Sequence, residues 1–428
     1  MSELLFGRTL SFHADPGIAG ERQSHDYEER QSHDYEERGA IVIGDDGRIL
    51  WSGARAELPV DYRRLEATDY GDKLITAGFI DAHVHFPQYR MLAAPGNDLL
   101  DWLNRFTFPE EACYGDRSHA ETAAALFLDR LVAHGTTSAL VFSSVHKTAA
   151  DALFAAAEAR DMALVTGKTM MDRNAPANVC DDAETGARDS EDLLAKWHGR
   201  GRARYAITPR FAITSTEAQL EASGALLKAH PDCLMQTHLS EQKAEMARVA
   251  ELFPNAKDYT DVYDRFGLLG PTSLFGHSIH LSERECARLS ETGSAAVHCP
   301  TSNTFLGSGL FDLDLVGRPD RPVGIGLATD VGGGTSYSML HTIGEARKVA
   351  QMKGRKLTAL RGFYFATLGN ARLMKLDAEI GSLSAGKFAD LVVLDPRATP
   401  VTAARDDLSE TLEDRLFALA MLGDDRAV

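Results

Sequence analysis

Four histidines and two acids stand where hydrolytic chemistry would need them. His83 and His85, one residue apart, end the apolar run LITAGFIDAHVH. His238 closes CLMQTHLSE with Glu241 three residues on, His277 closes TSLFGHS, and Asp330 closes VGIGLATDVGG. In an extended strand residues i and i+2 face the same way, so His83 and His85 can hold one ion from one strand. His238 and Asp330 complete a nitrogen and oxygen set suited to zinc or a similar divalent ion, with a position left open for water. Glu241 lies beyond His238, near such an ion yet free to move a proton. Taken singly, an HxH in a strand is a pair of satisfied polar residues, and an Asp after a strand is a loop cap. All of them together, at the ends of separate runs, point to a metal site.

These groups need a frame that gathers distant strand ends. Four further runs, TSALVFSS, ALVTGKTM, YAITPRFAITS and SAAVHCPTS, bring the strand candidates to eight. Helix-like stretches alternate with them, among them AETAAALFLDRLVAHG, AADALFAAAEARD, SEDLLAKWHGR, TEAQLEASGALLKAH and SERECARLSETG. Eight β-then-α units predict an α/β protein built on a (β/α)8 TIM-like barrel over residues 75–374, whose reacting groups project from the C-terminal ends of the strands. Residues 1–74 and 375–428 are β-like, with GAIVIGDDGRILWSG near one end and FADLVVLD near the other. Chain ends often lie close together, so these segments are expected to close into one small β-sandwich domain.

The rest of the chain narrows the class. Among 428 residues, 45 Lys+Arg against 62 Asp+Glu leave a formal charge of −17, which argues against a nucleic-acid partner. The five cysteines, Cys113, Cys180, Cys233, Cys286 and Cys299, make no CxxC, so neither a zinc ribbon nor a disulfide framework is indicated. The first residues lack a signal-peptide pattern, and no apolar run reaches the ~18 residues of a spanning helix. The expectation is a soluble protein of a reducing compartment, with no membrane partner. RQSHDYEE occurs twice in tandem, at Arg22 to Glu29 and Arg30 to Glu37. It reads as a lengthened, solvated hairpin loop rather than a metal site at His25 and His33. The nine histidines outside these sets are expected on surfaces or helix ends. Gly324 to Gly334 is no phosphate loop, and its glycines are expected to let backbone pack closely around Asp330. After Asp101, Trp102, Phe106, Phe108 and Glu110 form either a lid or a packed rim.

GFIDAHVH, HLSE, FGHS and ATDVGG resemble the amidohydrolase superfamily over nearly the whole chain. Within it, HVHFPQYRML, LLDWLNRFTFPEE, TPRFAITS and TDVGGGTSYSML are similar to the barrel-type guanine deaminases. The resemblance implies hydrolysis of guanine to xanthine and ammonia in purine catabolism, by a cytoplasmic homodimer with one zinc per subunit. It implies His83, His85, His238 and Asp330 as metal ligands, Glu241 as proton shuttle, and His277 as the group holding the attacking water, whose proton Asp330 accepts. It implies Gln88, Arg210 and Phe211, with His238, as contacts to guanine. Arginine matches the O6/N7 edge of guanine, and glutamine offers both a donor and an acceptor. Phe211 either stacks on the purine or packs in the core. The fourth run ends in Arg210 and Phe211 rather than the carboxylated lysine of binuclear relatives, which favours one metal. Lys168 ends the third run without an assigned role. The H-x-E and P-C-x-x-C signature of the other zinc deaminases is absent. The alternatives are a sister aminohydrolase acting on another aminopurine or heterocycle, a metal-dependent amide hydrolase, and a non-catalytic barrel, which would be expected to lose its ligands.

Overall fold

The computed structural model describes residues 2–19, 32–96 and 99–428. Four strands open the chain: β1 (Glu3–Phe12), β2 (His33–Ile43), β3 (Ile49–Ala54) and β4 (Ala67–Ala77). β1 pairs antiparallel with β2 and parallel with β4. The first RQSHDYEE copy, with His25, lies outside the described residues. The second differs from the loop expectation: His33 to Glu37 belong to β2, paired from Phe12↔His33 to Thr9↔Glu36. A polar sequence holds a strand here because its ladder partner β1 carries the apolar side chains, Leu10 and Phe12 being buried.

The run LITAGFIDAHVH is two strands in two sheets. β4 ends at Ala77, Gly78 turns the chain with its N–H on the Asp390 carbonyl at 2.7 Å, and β5 (Phe79–His85) enters the barrel. Then follow β6 (Thr136–Phe142), β7 (Ala163–Gly167), the two-residue β8 (Thr169–Met170), β9 (Ala203–Pro209), β10 (Leu234–Leu239), β11 (Ser273–His277), β12 (Ala295–His298) and β13 (Gly324–Leu327). Eight parallel strands run in the order β13-β12-β11-β10-β9-β7-β6-β5, with β8 beside β9. Ile80, Leu140, Val165, Ala206, Leu234, Leu274 and Val297 make one interior cluster. Neighbours such as Val141, Leu164 and Phe275 pack outward against helices. This two-residue alternation is what a barrel with filled interior requires.

The seam between β5 and β13 has side-chain bonds in place of a regular ladder, with backbone bonds only past the end of β13, from the Asp330 N–H to the His83 carbonyl at 2.9 Å and from the His85 N–H to the Val331 carbonyl at 2.7 Å. Asn370 donates to the carbonyls of Ile80 and Leu327, both at 2.7 Å, and accepts from the Leu327 N–H at 3.0 Å. Asp81 accepts from the Thr329 N–H at 3.1 Å and from its hydroxyl. Burial pushes the Asp81 carboxyl up to about 7.

Near the C-terminus β14 (Leu391–Leu394) pairs antiparallel with β4 and completes a five-stranded sheet, β14-β4-β1-β2-β3. The helix Leu412–Leu422 packs Leu416 and Leu419 in one cluster with Leu340 and Ile343 of the barrel helix Met339–Met352. The tail thus contributes one strand to the small sheet and one helix to the barrel's flank.

Candidate active site

Three local departures from regular strand geometry aim the reactive side chains at the barrel mouth. In β5, Ile80 and Ala82 belong to the interior cluster, and the ladder with β6 shifts register between Asp81 and Val84. Such an irregularity re-phases a strand, and His83 and His85 follow it. In β11, Leu274 is interior, so His277 would point outward in a regular strand; its φ of 66° turns it back. Asp330 follows β13 with φ 52°. Both sit in the left-handed region that non-glycine residues rarely enter. Gly276 makes room for the result, since a Cβ there would lie 2.5 Å from the His83 ring.

The side chains of His83, His85, His238 and Asp330 converge. His83 Nε2 and His85 Nε2 lie 3.5 and 3.4 Å from Asp330 Oδ1, and His85 Nε2 lies 3.2 Å from His238 Nε2. The His238 Nδ1–H donates to the Arg210 carbonyl at 2.7 Å, which leaves its Nε2 a bare lone pair. His83 Nε2 is buried without a hydrogen-bond partner among the described residues. Burial, followed by the neighbouring imidazoles, holds His85 and His238 well below the usual histidine range, and burial lowers His83. Against burial, which would raise it, His83 and His277 hold the Asp330 carboxyl below the usual range. Neutral imidazoles with unshared lone pairs around one carboxylate form a set that a divalent cation fits.

Beside them lies a proton-handling pair. His277 Nε2 is 3.4 Å from Glu241 Oε2 and 3.7 Å from Asp330 Oδ2. Its Nδ1–H donates to Asn303 Oδ1 at 2.8 Å, which orients the ring. Burial pushes the Glu241 carboxyl up to about 7. Ser308 Oγ donates to Glu241 Oε1 at 3.0 Å. Burial opposes the charge on His277, but Glu241 and Asp330 outweigh it and raise its pKa. A carboxyl near neutrality beside acid and imidazole can both give and take a proton.

A cavity opens onto these groups, lined by His85, His238, Glu241, His277 and Asp330 together with Gln88, Arg210, Phe211, Leu99, Trp102 and Leu103. Phe211 meets the His238 ring edge-on, with centroids 6.2 Å apart. The stretch after Asp101 does reach the cavity, through Trp102 rather than Glu110. Glu110 faces away and pairs with Arg90 at 2.8 Å, while its neighbour Glu111 is fully buried and binds Arg210. In the sequence the adjacent acids are indistinguishable; the helix Phe108–Ala112 sends them to opposite sides. The glycines after Asp330 do allow close approach, a Cβ on Gly333 falling 3.3 Å from Asp330 Oδ2.

One histidine expectation needs correction. His298 is neither on a surface nor at a helix end. It is 2% exposed, stacks on Phe311 at 4.6 Å, and has neither ring nitrogen hydrogen-bonded among the described residues; burial lowers its pKa to about 3. Cys299, beside it, falls within ligand distance of His83, His277 and Asp330, with burial pushing its thiol well up. Lys168 is buried and paired with Asp181, away from the cavity lining.

Residues 74–423 match the amidohydrolase family. Guanine deaminase of Escherichia coli (strain K12) is 46% identical over 378 residues, spanning 88% of this chain and 85% of that protein. The crystal structure of guanine deaminase from Bradyrhizobium japonicum superposes with TM-score 0.95 at 37% identity, over 100% of this chain and 97% of the other. Guanine deaminase from C. acetobutylicum, solved with guanine bound in its active site, superposes with TM-score 0.86 at 28% identity, over 100% and 97%.

Proposed function

The chain belongs to the amidohydrolase family, and from that premise we propose that it hydrolyses guanine to xanthine and ammonia. The observation that carries this is one cavity lined both by lone pairs and acids and by a guanidinium, an amide and apolar side chains. The relatives' names and the guanine in one of their structures support the substrate.

His83, His85, His238 and Asp330 would hold a single zinc ion, the orphaned His83 Nε2 being the clearest sign of a missing partner. When bound, zinc supplies Lewis acidity that brings the pKa of a coordinated water from 15.7 to about 7. The chain's own residues do the rest. Asp330 takes the proton of the attacking water at Oδ2, and His277 Nε2 holds that water in line. Glu241 delivers a proton to the ring nitrogen beside C2, which makes C2 electrophilic. After water adds, the proton passes to the departing amine, and ammonia leaves. Arg210 faces the O6/N7 edge, Gln88 the neighbouring ring edge, and Phe211 a purine face. Leu99, Trp102 and Leu103 keep bulk water from the ring.

A homodimer in the cytoplasm, working in purine catabolism, completes the proposal on the family likeness alone. The test is direct. Purified protein with guanine should form xanthine, followed by its absorbance, with ammonia in equal amount. A chelator should stop the reaction and zinc restore it. Full activity in zinc-free protein, or none with guanine in metal-loaded protein, would refute the reading.

A further inference from the structure

Two polar residues of the cavity lining, Gln88 and Arg210, are tied to one acid outside that lining. Glu111 Oε1 accepts from Gln88 Nε2 at 3.0 Å and from Arg210 Nη1 at 2.8 Å, and its Oε2 accepts from the same Nη1 at 2.6 Å. Glu111 is 0% exposed and does not itself line the cavity. A carboxylate offers only acceptors. The Gln88 amide must therefore turn its NH2 toward Glu111 and leave Oε1 for the cavity. Among the described residues Oε1 has no other hydrogen-bond partner. Arg210 commits Nη1 to Glu111, and its Nε and Nη2 have no partner among the described residues. The lining thus presents an acceptor from Gln88 beside donors from Arg210. That order complements a lactam edge, a ring N–H next to a carbonyl. It opposes an amidine edge, a bare ring nitrogen next to an amino group.

We propose that Glu111 is a positioning residue that fixes this polarity, and through it selects 6-oxo over 6-amino purines for deamination at C2. The inference rests on the guanine reading above. A buried site built to hydrogen-bond one edge leaves its own polar groups unpaired against the opposite edge, which is a strong form of discrimination. Glutamine at position 111 would remove the constraint. Its amide can accept from Gln88 or donate to it, so either face of the Gln88 amide can meet the ligand.

The experiment compares guanine with 2,6-diaminopurine, which shares the C2 amine and differs at C6. Hydrolysis at C2 adds water, expels ammonia and gives 2-oxo-6-aminopurine, separable by chromatography. Wild type should prefer guanine in kcat/KM by at least ~100-fold. Glu111→Gln should shrink that preference at least ~10-fold, the loss on guanine falling mainly on KM, with metal content unchanged. Glu111→Asp, which remains acceptor-only, should slow both substrates and keep the preference within ~3-fold of wild type. Hypoxanthine, which has the lactam edge but no C2 amine, should bind Glu111→Gln more weakly than wild type by calorimetry. An unchanged preference in folded, metal-loaded Glu111→Gln overturns the inference and leaves the functional reading standing. If that variant does not fold, a wild-type preference below ~10-fold, or an Asp variant whose preference falls ~10-fold, overturns it. Failure of metal-loaded wild type to turn over guanine overturns both.

Discussion

Two clusters of histidine, acid and cysteine occupy opposite ends of the barrel, and only one of them is built to do chemistry. At the mouth, His83, His85 and His238 lie within ligand distance of one another, as do His83, His277, Cys299 and Asp330. At the other end, His198, Asp232 and Cys233 are as close together. In the lower cluster the imidazole has no lone pair to spare. His198 Nδ1 accepts from the Tyr205 N–H at 3.0 Å and its Nε2 pairs with Asp232 at 3.1 Å. The Asp232 side chain is 73% exposed, and burial pushes the Cys233 thiol up to about 12. In the upper cluster His238 has one nitrogen pinned by a backbone carbonyl so that the other stays bare, and His83 Nε2 has no hydrogen-bond partner among the described residues. Residue types and distances are alike at the two ends. What separates them is which nitrogens are already satisfied, and the cavity beside them.

The sharpest way to break this contrast is Glu241→Gln. Turnover should drop by at least ~100-fold while the metal stays, because the substitution removes proton transfer without touching a ligand. Metal analysis alongside the rate separates that outcome from simple loss of the ion, and near-normal turnover would take Glu241 out of its role. Asn303→Ala comes next. It frees the His277 ring from its orienting acceptor and should lower kcat about 10-fold, in the range of other outer-sphere changes, with KM and metal content held. An equal fall in metal content would mean that His277 holds the ion rather than the water.

The lower cluster should answer differently. His198→Ala is expected to leave metal content and kcat/KM at wild-type values and to cost about 1 kcal/mol of stability, read as a shift in Tm. Loss of metal on that substitution would erase the distinction between the two ends. His298 supplies the smallest test, as a buried histidine with no carboxylate to hold its charge. Its folded pKa of about 3 lies below the ordinary 6.5, so between those values the unfolded chain binds a proton that the folded one refuses. Its contribution therefore lowers stability as pH falls through that window, by at most about 1.4 kcal/mol per pH unit. Denaturant unfolding of His298→Phe should show a shallower decline from pH 6.5 to 5 than wild type, and parallel slopes would contradict it.

Much of the barrel was legible because buried parallel strands are near-continuous apolar runs with their functional residues at one end. All eight strand candidates, from LITAGFIDAHVH to VGIGLATDVGG, contain a barrel strand. The runs did not reveal that the first would split at Gly78 between two sheets, since both halves are apolar and a single glycine is a weak boundary. The second RQSHDYEE copy misled for the opposite reason: its polar residues form a strand whose apolar support lies on β1. The candidate metal set could be assembled from strand ends alone. Glu111 could not, because nothing local separates it from Glu110, and His298 could not, because one histidine after Ala-Ala-Val looks the same buried or exposed.

The amino-acid order by itself determined an acidic chain of alternating β and α units whose imidazoles and carboxylates end particular strands. Periodicity and composition are local properties, and they survive reading in one dimension. Tertiary structure alone decided which lone pairs remain bare, which acid stands behind Arg210, and which of two similar clusters faces a cavity. Those depend on backbone carbonyls, left-handed turns at His277 and Asp330, and contacts between residues far apart in the chain, such as Glu111 and Arg210. Hydrogen-bond satisfaction is settled by the folded neighbourhood, so it has no signature in the residues themselves.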